Sequence, residues 1–219
     1  MKVKTKLSLI LAAVISQPLL AIEITVQVFD PTEQAVPDVV VYATPLMDIE
    51  NLAVNTNQLV IDQADTKFAP YVTVLQKGQT IKFINKDDIT HHIYSVSGEN
   101  RFEFKIKSGN ERMTQRLGTA EEVAMGCNIH DWMSGFALVV DTPYFGKTNA
   151  SGRLTLELPE LGQYQITVWH PQLETDGNRM SETVTLTEAA QSFNLTLPKK
   201  LLPIPEQSGQ DDFDFLEEY

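Results

Sequence analysis

From residue 22 onward the chain consists of short runs of β-branched and aromatic residues, each broken within a few positions by Gly, Pro, Asn or Asp. In the first run, Ile22, Ile24, Val26 and Val28 alternate with Glu23, Thr25 and Gln27, and the turn-forming pair Asp30-Pro31 follows. Similar runs occupy 36–42, 71–75, 78–84, 93–96, 102–106, 122–126, 136–140, 152–158, 164–169, 182–186 and 192–197. A period of two turns one face of each segment toward a core, and no stretch carries the 3.6-residue period of an amphipathic helix. Many short strands with turn signals between them predict an all-β chain built as a sandwich or barrel.

The termini differ from this pattern. Residues 1–21 carry Lys2, Lys4 and Lys6, an apolar run over 7–15, and Pro18 shortly before Ala21. A basic start, a short apolar stretch and a small residue at the end describe a secretory signal peptide, with cleavage expected after Ala21. Periplasmic export follows as an expectation, with no integral membrane segment after cleavage. Residues 199–219 hold Pro203, Pro205 and the acidic residues Asp211, Asp212, Asp214, Glu217 and Glu218, which predict a flexible acidic tail.

Charge and cysteine count narrow the function. With 17 basic and 29 acidic side chains the formal net charge is −12, which argues against a nucleic-acid partner. A single Cys excludes an internal disulfide framework, a CxxC redox pair, a Cys-rich zinc site and a two-cysteine dinuclear copper centre.

That one cysteine stands in a dense group of metal-binding side chains. Cys127, His130 and Met133 follow the spacing C-x2-H-x2-M, between a strand-like segment ending at Gly126 and another starting at Phe136. His91 and His92 lie about 35 residues upstream, so five soft or borderline donors are available. Two imidazoles and a thiolate with a weak axial Met form the ligand set of a blue-copper electron-transfer site. Zinc would more naturally recruit further thiolates or a carboxylate and leave Met aside. Met125 is a rival axial donor, although its place in a strand favours core packing.

These residues carry a family resemblance. Residues 58–141 resemble the cupredoxins, with the short loop of amicyanin and a relation to plastocyanin. The likeness rests on Phe68 to Pro70, on Val72 and Val74, on Gly78 to Phe83, on Asn85, on His91 to Gly98, and on Cys127-x2-His130-x2-Met133-x-Gly135. The combination is also similar to exported proteins labelled methylamine utilization proteins. The resemblance implies one type 1 Cu ion held by His91, Cys127, His130 and Met133. Of the paired histidines it selects His91, six residues after Asn85, and leaves His92 outside the ligand set. It also implies that Asn85 ties the two ligand-bearing segments together. The chain departs from the family pattern in carrying Met125 and Val123 where aromatics are usual before Cys, and Asp131 where Pro is common after His130. Trp132 is either a docking contact or a core residue. The flanks, 22–57 plus 142–198, resemble an immunoglobulin-like sandwich of the carboxypeptidase-regulatory type, into which 58–141 would be inserted. In that reading His170 is a turn residue and not a ligand.

The functional expectation is an electron carrier and not an enzyme. It would exchange single electrons with protein redox partners, such as a c-type cytochrome or a periplasmic oxidoreductase. Two alternatives use the same ligands: a copper chaperone or sensor, and an accessory copper subunit of a periplasmic oxidoreductase. A copper oxidase would need more than the four histidines present.

Overall fold

The computed structural model describes residues 22–50, 52–96 and 98–208; the expected signal peptide, 1–21, and the end of the acidic tail, 209–219, lie outside them. The strands in chain order are β1 (Ile22–Phe29), β2 (Val40–Pro45), β3 (Leu59–Ala64), β4 (Lys67–Ala69), β5 (Val72–Gln76), β6 (Ile81–Asn85), β7 (His91–Ser95) and β8 (Phe102–Ile106). They continue as β9 (Glu111–Met113), β10 (Glu122–Cys127), β11 (Ser134–Val140), β12 (Phe145–Lys147), β13 (Arg153–Leu158), β14 (Gly162–Trp169), β15 (Arg179–Leu186) and β16 (Ala190–Thr196). The protein is all-β, with one 3-10 turn at Asp176–Asn178 among the described residues. No helix among them is long and apolar enough to cross a membrane.

The strands make four sheets that face one another in pairs. Sheet β5-β11-β10-β7-β8 and sheet β4-β3-β6-β9 enclose one core containing Ile61, Leu75, Phe83, Ile93, Val123 and Met125. Sheets β13-β1-β16 and β12-β2-β14-β15 enclose a second, which includes Ile24, Val26, Tyr164, Ile166 and Leu195. Strand β1 therefore pairs with β13 and β16, more than a hundred residues downstream, while the strands between 59 and 140 pair among themselves.

A third apolar cluster joins the two sandwiches. Val72 and Val74 of β5 and Leu138 and Val140 of β11 pack on Val40 of β2 and Trp169 of β14. This explains why β5 is buried at all five positions: alternate side chains enter different cores, Leu75 the first sandwich and Val72 and Val74 the junction. Residues 199–208 are likewise held against the molecule. Lys200 meets Asp30 at 3.4 Å, and the Leu202 amide donates to the Gln172 carbonyl at 3.0 Å.

Some strand boundaries move for local reasons. The run expected at 36–42 becomes strand only from Val40, because Pro37 has no N–H to donate and Asp38 sits at φ 58°. The run expected from Gly78 starts at Ile81, since Gly78 at φ 90° closes a turn. Strands β4, β9 and β12 are three residues long, too short to display a period. In β3 the inward positions are Ile61 and Gln63, so a buried polar side chain conceals the alternation.

His170 lies in the turn after β14, where it accepts a hydrogen bond from the Gln172 amide at 3.2 Å. Burial, opposed by Asp38 and assisted by Lys147, pushes its pKa down to about 4. The unfolded chain then binds a proton the folded one refuses, so stability falls as pH drops from the ordinary value of 6.5 toward about 4. Urea unfolding over that range is expected to show a loss on the order of 3 kcal/mol that His170→Gln removes. At the junction, Trp169→Ala is expected to lower stability by about 3–5 kcal/mol in the same assay, by opening a cavity between the sandwiches.

Candidate metal centre

The centre is set by how β7 lies against β10. The antiparallel register pairs Tyr94 with Gly126 and Ile93 with Cys127, and the Asn128 amide extends the ladder to the His92 carbonyl at 2.9 Å. In β10, Val123, Met125 and Cys127 alternate inward. In β7, His91, Ile93 and Ser95 are buried and His92 and Tyr94 face outward. Cys127 and His91 thereby enter the same end of the same core. The chain then leaves β10 in a tight turn, closed by the Met133 amide on the His130 carbonyl at 3.0 Å, which folds His130 back toward the sulfur.

Cys127 Sγ is 3.7 Å from His91 Nδ1 and 3.6 Å from His130 Nδ1, and the three donor atoms lie within 4.8 Å of one another. Metal bonds of about 2.3 Å to sulfur and about 2.0 Å to nitrogen, opened to a trigonal angle, separate the two donors by roughly 3.7 Å. The spacing fits a single ion. Cys127 and His91 are buried and His130 is half-buried. The His91 and His130 rings stand 5.1 Å apart between centroids. Met133 is buried in the same core as Cys127, and Met125 packs there from the middle of β10.

The surroundings favour a thiolate. Burial pushes the Cys127 thiol up, but His91, the backbone amides of Ile129 and His92, and His130 outweigh it and bring the group down to about 6 from an ordinary 9.0. For His91, burial works against the charged form, while the Cys127 sulfur and the Asp87 carboxylate more than offset it, so its pKa is raised.

Asp87, in the Asn85 to Asp88 run but assigned no role from sequence, holds His91 from behind. Its carboxylate lies 2.7 Å from His91 Nε2, which leaves Nδ1 facing the sulfur. That carboxylate also accepts the Asp65 amide at 2.7 Å and the Thr66 amide at 3.1 Å. Thr66 Oγ1 in turn accepts the Trp132 indole N–H at 3.3 Å, and the Trp132 ring lies 5.4 Å from that of His130. One turn between β3 and β4, with Asp65 and Thr66 both at positive φ, thus reaches both histidine-bearing segments.

Two expectations change in detail. Asn85 does not bridge to the Cys127 segment. Its side chain donates to the carbonyls of Ile89 at 2.7 Å and Ile106 at 3.0 Å and accepts the Asp87 amide at 2.9 Å, so it closes the 85–91 turn instead. Trp132 is part of the wall around the site, linked to Thr66. His92 stays outside the donor cluster, with Nε2 2.7 Å from the Glu103 carboxylate.

The chain matches no protein-family model and no curated protein. Several solved structures resemble part of it. A copper-containing nitrite reductase from Thermus scotoductus is 21% identical at a TM-score of 0.37, over 43% of this chain and 25% of that one, so the chain spans about a quarter of the reductase. A purple cupredoxin from Nitrosopumilus maritimus is 17% identical at a TM-score of 0.34, over 38% of this chain and 100% of that one. The reduced state of an amicyanin variant is 21% identical at a TM-score of 0.35, over 45% of this chain and 99% of that one.

In metal-free protein the ultraviolet absorbance of the thiolate is expected to appear with a midpoint near pH 6, about three units below an ordinary thiol, and to be missing in Cys127→Ser. A midpoint near 9 would show that the histidines do not act on the sulfur.

Proposed function

We propose that this chain is an exported type 1 copper protein that carries single electrons between protein partners and is not itself an enzyme. The observation that carries the reading is the convergence of Cys127 Sγ and the two Nδ1 atoms within 4.8 Å, with Met133 buried in the same core. Bound copper would supply the one-electron Cu(II)/Cu(I) change and would be held by His91, Cys127, His130 and Met133.

The chain's own residues prepare the site for that ion. The lowered Cys127 thiol offers a thiolate at neutral pH. Asp87 fixes the orientation of His91. Strand pairing and the Asp65–Thr66 turn keep the donors together, so a change of charge requires little movement. His130 is the one half-buried member of the three, and its edge is the route for the electron. Ile129 and Ile89, 52% and 40% exposed in the segments that carry the two histidines, offer apolar contact to a partner.

The net charge of −12 would steer encounters toward a basic partner, such as a c-type cytochrome. Residues 58–141 are read as the copper unit, inserted into an immunoglobulin-like sandwich made of 22–57 and 142–198. Periplasmic localisation follows from the signal-like residues 1–21.

One equivalent of Cu(II) added to purified protein is expected to give an intense sulfur-to-copper charge-transfer colour that Cys127→Ser abolishes. Uptake of Cu(II) without that colour would overturn the reading.

A further inference from the structure

The described end of the chain reaches the metal loop from the other sandwich. After β16 the Leu197 amide donates to the Phe29 carbonyl at 2.8 Å, Leu201 packs against the flanking core, and Leu202 is bonded to Gln172. Pro203 and Pro205 then restrict the backbone to extended conformations, which makes 203–206 a stiff connector. At its far end both polar atoms of the Gln207 amide are engaged. Oε1 accepts the Ser134 amide N–H at 3.0 Å; Nε2 donates to Ser134 Oγ at 3.0 Å and to the Pro205 carbonyl at 3.1 Å.

Ser134 is the first residue of β11 and directly follows Met133. The strand side of Met133 is held by the pairing of Ser134 with Gly126 in the β10–β11 ladder and, in addition, by a side chain 73 residues away on the segment anchored in the flanking sandwich. On its other side the Met133 amide closes the local turn to His130. Gly126–Ser134 is the last pair of that ladder, where strands fray most readily, and the Gln207 contact adds a hold on Ser134 from outside the sheet.

We propose that Gln207 is a positioning residue for Met133, and that 198–208 is a strap through which the flanking sandwich sets the reach of the thioether toward the metal. The proposal rests on the copper reading for its consequence but not for its test in metal-free protein. Gln207 touches neither sulfur nor imidazole; it acts through Ser134. A thioether would be the weakest donor of the set, so a strap that sets its reach would tune the reduction potential while leaving Cys127, His91 and His130 where they are.

The test uses the full chain, labelled at methionine methyl groups, as wild type, Gln207→Ala and Gln207→Glu. Glu keeps an acceptor for the Ser134 amide and hydroxyl. In metal-free protein, Gln207→Ala is expected to shift the Met133 methyl resonance and leave that of Met125 in place. It should also speed amide exchange at Ser134 by about tenfold, as loss of one hydrogen bond implies. Gln207→Glu should restore both. With Cu(II) bound, Gln207→Ala should alter the relative intensities of the charge-transfer bands and shift the potential. An unmoved Met133 resonance in Gln207→Ala, or unchanged bands and potential beside faster exchange at Ser134, would overturn the proposal. A wild-type chain that binds Cu(II) without colour would instead overturn the copper reading, while the methyl and exchange data still decide whether the strap positions Met133.

Discussion

The register of β7 on β10 is the constraint from which the rest of the site follows. Side chains in a strand alternate, so a slip of one residue would turn His91 outward and bring His92 inward. Pairing Ile93 with Cys127 sets the sulfur and the His91 ring on one face, and the Asn128 bond to His92 carries the pairing to the mouth of the loop. Every other feature of the centre acts on donors that this ladder has already brought together. A slipped register would also bury the imidazole of His92 away from its Glu103 partner.

Around the donors, hydrogen bonding replaces the solvation that burial removes. His91 is fully enclosed and gives its second nitrogen to Asp87, whose carboxylate would be costly in that position without the two amides of Asp65 and Thr66. Those amides converge because two consecutive residues adopt positive φ, a strained conformation that Asp tolerates better than Thr. The same turn meets the Trp132 indole, so the two-residue connection Asp65–Thr66 between short strands restrains both histidine segments at once. Asn85 supplies the remaining order by closing the turn that leads into His91.

The second sandwich is attached to the first by more than the chain crossing between them. Trp169 and Val40 fill a junction against β5 and β11, and β11 is the strand that follows Met133. The Tyr71 hydroxyl, whose ring packs edge-on against Phe136, accepts the Gln172 side chain across the same boundary at 3.0 Å. With the Gln207 contact this gives the metal loop a support on its outer side that a lone sandwich of this size would lack.

Much of this was legible in the sequence, for a definite reason. Strand alternation and the C-x2-H-x2-M spacing are local patterns whose consequences appear within a few residues, so the all-β class and the donor types could be read from them. The choice of His91 over His92 needed a likeness to a known loop, because alternation says only that neighbours point to opposite faces. The tertiary structure alone decided which strands pair. The Cys127–His91 contact spans 36 residues and the Ser134–Gln207 contact 73. Asp87, Thr66 and Gln207 carry no signal of their own as single polar residues outside the strands. They come to surround the donor cluster only because chain segments distant in sequence close on the same few ångströms, and that closure is fixed by the packing of three apolar clusters, which no local period encodes.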